Sequence, residues 1–290
     1  VIDKPRGPSS HQITAWVGEI LGARVGHAGT LDPGVSGVLT VMIGKAVRLA
    51  PLLLSEEKEY VCLFRIHTEP VPGRVEEVLA EFTGRIYQRP PRKSAVARNL
   101  RIRMIHEMEL IDSDKHLLLI RVRCDAGTYI RSLCHHIGFA LGTGAHMVEL
   151  RRTRSGHFRE SQSCTLQDLA DAAAAARLGN PGILQSLILP PDKALSSLPK
   201  VTVRDTAVDA VCHGAVLARP GLTSYDEFGK GATVVLTTSR GELIALGRAL
   251  TSSKETGALK NGLIISPSTV FMEPGTYASG WRKSGRSGSP

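Results

Sequence analysis

The chain has 290 residues, 42% of them hydrophobic, with a net charge of +9 and five cysteines. That is enough to bury two cores, and the excess of cations favours a polyanionic partner, nucleic acid before membrane because no basic amphipathic helix stands out. No apolar run approaches the ~18 residues of a membrane span and no signal-peptide pattern is present; an odd cysteine count without a C-x-x-C pair argues against a disulfide framework and a zinc ribbon, and for a reducing compartment.

The first residues, Val1-Ile2-Asp3-Lys4-Pro5, hold an apolar pair and no initiator methionine, so a segment ahead of them is expected. Ser9-Ser10-His11-Gln12 predicts a capping box with Ser9 as cap. Ile13, Trp16, Val17, Ile20 and Leu21 then follow at helical spacing up to a closing Gly22. Gly26 to Gly37 reads as a loop with four glycines, in which His27 and Asp32 are the titratable groups. The apolar run Val38 to Ile43 suits a buried strand, so the loop feeds straight into the core. A short apolar helix is expected across Ala46 to Leu54, an alternating strand over Lys58 to Ile66, and a helix marked by Val75, Val78, Leu79 and Phe82. Leu117 to Cys124 again reads as a strand, and Tyr129 to Leu141 as a helix with Ile130, Leu133, Ile137 and Leu141 inward. Strands and helices mingle without a strict βαβ repeat, which predicts an α+β fold on a mixed sheet.

Past Leu150-Arg151-Arg152-Thr153-Arg154-Ser155-Gly156 the texture changes. Ala172 to Ala176 is the alanine-rich tail of a helix, and Pro181, Pro190, Pro191 and Pro199 punctuate a linker. From Lys200, short β-rich segments such as Ala232 to Leu236 and Leu243 to Leu246 alternate with glycine turns, as in a small β-barrel. The expected division is a catalytic module over residues 1–198, a β-barrel over 199–275 and a Gly/Ser/Arg-rich flexible tail over 276–290.

Asp32-Pro33-Gly34 alone is only a turn signal, and three other features give Asp32 a chemical reading. In Cys124 to Arg131, a strand meets a glycine turn and a helix start. With Thr128 as cap, Arg131 falls in the first turn, where the helix dipole disfavours a cation, so an anionic partner is expected and Asp32 is the candidate. A plain surface arginine is the competing reading. Tyr60 begins an alternating strand, a place for a half-buried filler or for an aromatic platform. Arg85 to Arg103 holds seven Arg or Lys and no acid around Gln88-Arg89-Pro90-Pro91-Arg92-Lys93, which favours phosphate contact over a solvated face of mixed sign. Cys134-His135-His136 suggests a metal site, but consecutive residues point around a helix rather than at one ion.

Together these residues resemble the TruB and dyskerin family of RNA pseudouridine synthases, nearest to its archaeal dyskerin-type members, catalytic subunits of H/ACA ribonucleoproteins. The resemblance runs from Asp3-Lys4-Pro5 to about Glu273, through Gly26-His27 to Gly37, Lys58-Glu59-Tyr60-Val61, Gln88-Arg89-Pro90-Pro91, Ala126-Gly127-Thr128-Tyr129-Ile130-Arg131 and Leu150 to Gly156. One departure stands out, since family members usually carry Lys where this chain has Gly34. The C-terminal barrel looks like a PUA domain, with Cys212-His213-Gly214-Ala215 at its RNA-contacting helix.

The resemblance implies an isomerase that needs no cofactor or metal, which the absence of a G-x-G-x-x-G or P-loop motif matches. It implies Asp32 and Arg131 as a catalytic pair in a poorly solvated pocket, with Tyr60 stacking on the flipped uracil. Leu150 would pack against the ring, Lys4 would brace the loop near Pro5, and His27 would touch RNA at the vacated base position. Arg89, Arg92 and Lys93 would lie on a mobile loop over the substrate, and His213 and Gly214 would meet guide RNA. Implied partners are tRNA, rRNA, an H/ACA guide RNA and three accessory proteins: a zinc-ribbon-like peptide, a β-barrel protein and a kink-turn binder. No membrane is involved, and the missing Lys-rich tail of eukaryotic relatives fits a cytoplasmic, archaeal protein. A non-catalytic RNA-binding scaffold and an unrelated Asp-based hydrolase are the competing classes.

Overall fold

The computed structural model describes residues 1–90 and 99–279, which form two compact units, Val1–Leu189 and a second beginning at Pro190. The first unit runs β1 (Ile2–Lys4), α1 (Ser10–Leu21), β2 (Val25–Ala28), β3 (Ser36–Ile43), a 3-10 turn (Gly44–Leu49) into α2 (Ala50–Ser55), and β4 (Lys58–Ile66). It continues with α3 (Arg74–Glu81), β5 (Gly84–Gln88), β6 (Arg101–Asp114), β7 (Leu117–Cys124), α4 (Ile130–Ala140), β8 (Ala145–Ser155), β9 (Phe158–Arg159), α5 (Leu166–Arg177) and α6 (Gly182–Leu187).

Local chemistry starts and stops these elements. The Ser9 hydroxyl accepts from the Gln12 N–H at 3.2 Å while the Gln12 side chain accepts from the Ser9 N–H at 2.8 Å, the expected capping box of α1. Gly22 ends that helix at φ 59°. The alternating β4 and β7 pair antiparallel from Lys58–Cys124 to Arg65–Leu117. They send Cys62, Phe64, Ile66, Leu118, Ile120 and Val122 into one core with the buried face of α4.

The strands form one mixed sheet in the order β1-β3-β8-β4-β7-β6-β5, with β2 added to β3 and β9 to β8. Its parallel pair is β3 with β8, through Ser36–Arg151 and Gly37–Arg152. There the backbones come so close that a Cβ on Gly37, whose φ is +103°, would stand 2.2 Å from the Arg152 carbonyl oxygen. Only glycine fits. The second unit is a six-stranded sheet, β10 (Lys200–Val203) to β15 (Leu263–Val270), with α7 (Asp205–Cys212) and α8 (Ser253–Ala258). All six strands and α7 feed a single core around Val201, Val211, Leu236 and Ile264.

Four expectations need correction. Gly26-His27-Ala28 is not loop but part of β2, paired with Thr40 to Met42 of β3, so the free loop is residues 29–35. The basic stretch is not one loop, because Arg85 to Gln88 and Arg101 to Arg103 pair with each other as β5 and β6; Arg92 and Lys93 lie outside the described residues. The presumed linker holds α6 and a 3-10 turn, Pro191–Leu195, whose Ala194 and Leu195 are buried. Thr128 does not cap α4: its hydroxyl donates to the Asp125 carbonyl at 2.7 Å, and the cap residue is Tyr129. Cys134 turns inward to 3.5 Å from the Cys62 sulfur while His135 faces solvent, as separate helix faces require.

Gly37→Ala should lose about 3 kcal/mol of stability or more, through the clash with Arg152 and the left-handed backbone. Denaturant unfolding at the wild-type midpoint would contradict the close β3–β8 approach.

Candidate active site

Asp32 sits at the tip of a loop whose backbone is held by three buried polar side chains. Ser10, fully buried on α1, donates its hydroxyl to the Leu31 carbonyl at 2.9 Å and accepts from the Leu31 N–H at 2.8 Å. Lys4, also fully buried, donates to the carbonyls of Val35 at 2.7 Å, Pro5 at 2.9 Å and Pro33 at 3.4 Å. Arg152 donates to the carbonyl of Gly29 at 2.8 Å and to that of Val38 at 2.8 Å, bracketing the loop at both ends. A turn closes the tip, with the Val35 N–H on the Asp32 carbonyl at 3.0 Å. Unpaired carbonyls would cost too much inside the core, so the buried donors fix the path. Gly34 is exposed at this tip, and a Cβ there would meet nothing within 4 Å. The fold leaves room for a side chain at this position.

Against this fixed loop α4 brings Arg131, whose Nη2 donates to Asp32 Oδ2 at 2.6 Å. The resemblance implied a poorly solvated pocket, but the pair is open in the free protein: the two side chains are 60% and 59% exposed. In the free protein it therefore contributes less than about 1 kcal/mol to stability. Tyr60 lies on β4 between Val122 of β7 and Arg152 of β8, half-buried against the core. Burial raises its phenol pKa; the Arg152 guanidinium works against that rise and the nearby Asp32 charge adds to it. Leu150, two residues before Arg152 on β8, is buried in the same cluster as Leu31 and Val35.

The surroundings are cationic. Burial lowers the Lys4 pKa, and the Asp32 carboxylate opposes that fall. Lys58, buried at the head of β4, donates to the carbonyls of Leu53 at 3.0 Å and Glu56 at 2.9 Å; burial pushes it down to about 8. His27 rests its Nδ1 on the Thr14 hydroxyl at 3.0 Å and its Nε2 on that of Thr30 at 3.3 Å. Burial lowers its pKa, with the neighbouring His11 and Arg152 adding to the fall.

The structure thus brings Asp32, Arg131, Tyr60, Leu150, Lys4 and His27 into one region of the first unit. Arg89 is exposed just past β5. His213 and Gly214 belong to the second unit, exposed just beyond the C-terminal end of α7. Sequence reasoning missed Ser10, Gln88, Lys58 and Arg152. A signal existed for Arg152: strand alternation from the inward Leu150 puts it inward too. Ser10 carried none, being hidden beside the capping Ser9.

A carboxylate presented on a braced glycine loop, with an arginine delivered from a helix start, is an arrangement suited to nucleophilic or general-base chemistry. Comparison with known proteins makes that specific. Residues 19–130 match the TruB family pseudouridylate synthase N-terminal domain, residues 131–196 the tRNA pseudouridylate synthase B C-terminal domain, and residues 199–270 the PUA domain. The chain belongs to the TruB family of pseudouridine synthases, isomerases that act on RNA. It is 49% identical over 285 residues to the probable tRNA pseudouridine synthase B of Methanosarcina barkeri, covering 97% of this chain and 84% of that protein. To its namesake in Methanothermobacter thermautotrophicus it is 49% identical over 284 residues, covering 97% and 88%. Among solved structures, an H/ACA RNP bound to a substrate RNA containing 2'-deoxyuridine superimposes with a TM-score of 0.89 at 43% identity, over 97% of this chain and 86% of that one. An archaeal box H/ACA sRNP Nop10-Cbf5 complex does so with a TM-score of 0.88 at 42% identity, over 97% and 88%.

Ser10→Ala should cost about 1–3 kcal/mol, because it strands both backbone groups of buried Leu31. Arg131→Ala should cost less than about 1 kcal/mol, its partner being exposed. Urea unfolding of the two variants checks the order, and the reverse ranking would mean that the loop is not held from Ser10.

Proposed function

We propose that Asp32, Arg131 and Tyr60 carry the uridine-to-pseudouridine reaction in this chain. The reaction breaks the N1–C1′ bond, turns the uracil, joins C5 to C1′, and moves a proton from C5 to N1. Atoms balance without an oxidant or a transferred group. The base must first leave its stack, since neither C1′ nor C5 is reachable within a helix. Asp32 acts ionised, either adding to sugar or base or removing a ribose proton. The 2.6 Å contact from Arg131 to a carboxylate on a fixed loop is the observation that carries this reading, because it orients one acid before substrate arrives.

RNA would supply the enclosure that the free site lacks. Tyr60, half-buried, offers a face to the flipped uracil, worth ~1–3 kcal/mol by comparison with other base–aromatic contacts. Leu150 supports the ring from below, His27 meets RNA where the base has left, and Lys4 keeps the loop in place. Arg89, with Arg92 and Lys93 beyond it, contacts phosphate.

The substrate is rRNA selected by an H/ACA guide, the TψC loop of tRNA, or both. Residues 199–275 bind the guide, with the ACA trinucleotide around His213 and Gly214. Those residues follow the carbonyl end of α7, where the dipole favours hydrogen-bond donors, and adenine and cytosine each present an exocyclic amino group. The accessory partners are a zinc-ribbon-like peptide, a β-barrel protein and a kink-turn binder. No helix of the described residues is long and apolar enough to cross a membrane, and all five cysteines are free. The free cysteines support a cytoplasmic setting.

Asp32→Asn should abolish isomerisation, followed by tritium release from RNA labelled at uridine C5, while RNA affinity stays near wild type. Arg131→Ala should be nearly as damaging. Wild-type turnover in Asp32→Asn would sink the assignment and leave the scaffold reading. Deleting the chain after Leu189 should weaken guide-RNA binding far more than it disturbs the first unit's far-UV spectrum. Equal guide affinity in the truncated chain would remove the second unit from guide recognition.

A further inference from the structure

The start of α4 is weakly held by its own residues. No side chain of its own segment caps it, its first turn holds no acid, and that turn carries the cation Arg131. Each of these weakens a helix start. What holds it comes from the far edge of the sheet. Gln88, the last residue of β5 and only 1% exposed, accepts from the Tyr129 N–H at 2.9 Å and donates its amide N–H to the Tyr129 carbonyl at 3.1 Å. Tyr129 is the cap residue of α4. In α1 the cap N–H is met by the helix's own Gln12 at 2.8 Å. In α4 the same contact is supplied across 41 residues of sequence.

We infer that Gln88 is a positioning residue for Arg131, its side-chain amide fixing where α4 begins and thereby where the guanidinium meets Asp32. This rests on the catalytic reading of Asp32 and Arg131 given above. One side of that contact is immobile, because Ser10, Lys4 and Arg152 hold the loop. A displacement of the α4 start therefore changes the geometry of the 2.6 Å contact two residues beyond Tyr129. The two bonds also read the backbone in both senses, donor and acceptor, which sets rotation as well as distance. A hydrocarbon at this position would take this partner from the Tyr129 N–H and leave the Tyr129 carbonyl with the Leu133 N–H alone of these two donors, at 3.0 Å.

A double-mutant cycle tests this, using single-turnover rates at saturating RNA for Gln88→Ala, Arg131→Lys and the double variant. Gln88→Ala should slow the bound-RNA step by roughly ten- to a hundred-fold with little change in RNA affinity. In the double variant the rate should equal that of Arg131→Lys alone, since a misplaced anchor has nothing left to misplace. Gln88→Glu keeps the acceptor for the Tyr129 N–H and should recover part of the rate. Losses that multiply in the double variant, or a wild-type rate in Gln88→Ala, overturn the inference. If Gln88→Ala fails to fold, Gln88→Glu takes its place in the cycle under the same criteria. A wild-type rate in Arg131→Ala would instead overturn the reading of the site, a separate failure.

Discussion

The fold of the first unit depends on a buried arginine. Arg152 is 1% exposed, yet it is a permanent cation, and a bare guanidinium in that position would be prohibitive. It is solvated by the protein itself, through the carbonyls of Gly29 and Val38 and through Tyr60. Those partners are the two ends of the Asp32 loop and the aromatic floor beside it. The charge cannot be stable inside unless the loop takes this path, and the loop cannot take another without stranding the charge. The parallel pairing of Gly37 with Arg152 then brings the two strands too close for any side chain but hydrogen. Loop, floor and sheet junction are thus one polar network, fully paired or not formed.

The division between rigid and open parts follows from this network. Ser10, Lys4 and Arg152 beneath the loop are buried and hydrogen-bonded, while Asp32 and Arg131 themselves face solvent. Water screens their attraction in the free protein and leaves both ready to exchange partners. On the proposed reading, nucleic acid covering them would lower the local dielectric and strengthen the charge–charge contact several-fold. The pair is prearranged in geometry, and the proposed substrate would complete it in electrostatics. A net charge of +9 favours the approach of a polyanion.

Much of this was readable in the sequence, and the exceptions have physical reasons. The Asp32 loop announced itself because glycine and proline are local signals. β4 and β7 did too, since one face of each is buried and alternation is clean. β6 escaped because most of its fourteen residues are partly or fully exposed, so no apolar period survives. β8 hid behind Arg151, Arg152 and Arg154, whose charges suggest a surface although Arg152 points inward. Thr128 looked like a cap, but the nearer Asp125 carbonyl captured its hydroxyl. Asp32 and Arg131 were matched by charge alone; that they meet without enclosure depends on tertiary structure, which no local pattern encodes. The polar brackets Ser10 and Gln88 are long-range contacts of the same kind.

The parallel pair also sets a timetable. Arg152 meets Val38 across 114 residues of sequence, and Arg131 meets Asp32 across 99. On a ribosome adding about 5–20 residues per second, the strand that receives β3 emerges many seconds after β3 itself. Until then the glycine loop has no buried cation to close on. Contacts this distant are also the slow ones in refolding, because the intervening chain must be ordered before they form. The loop bearing Asp32 therefore cannot close around its buried cation until Arg152 has been made.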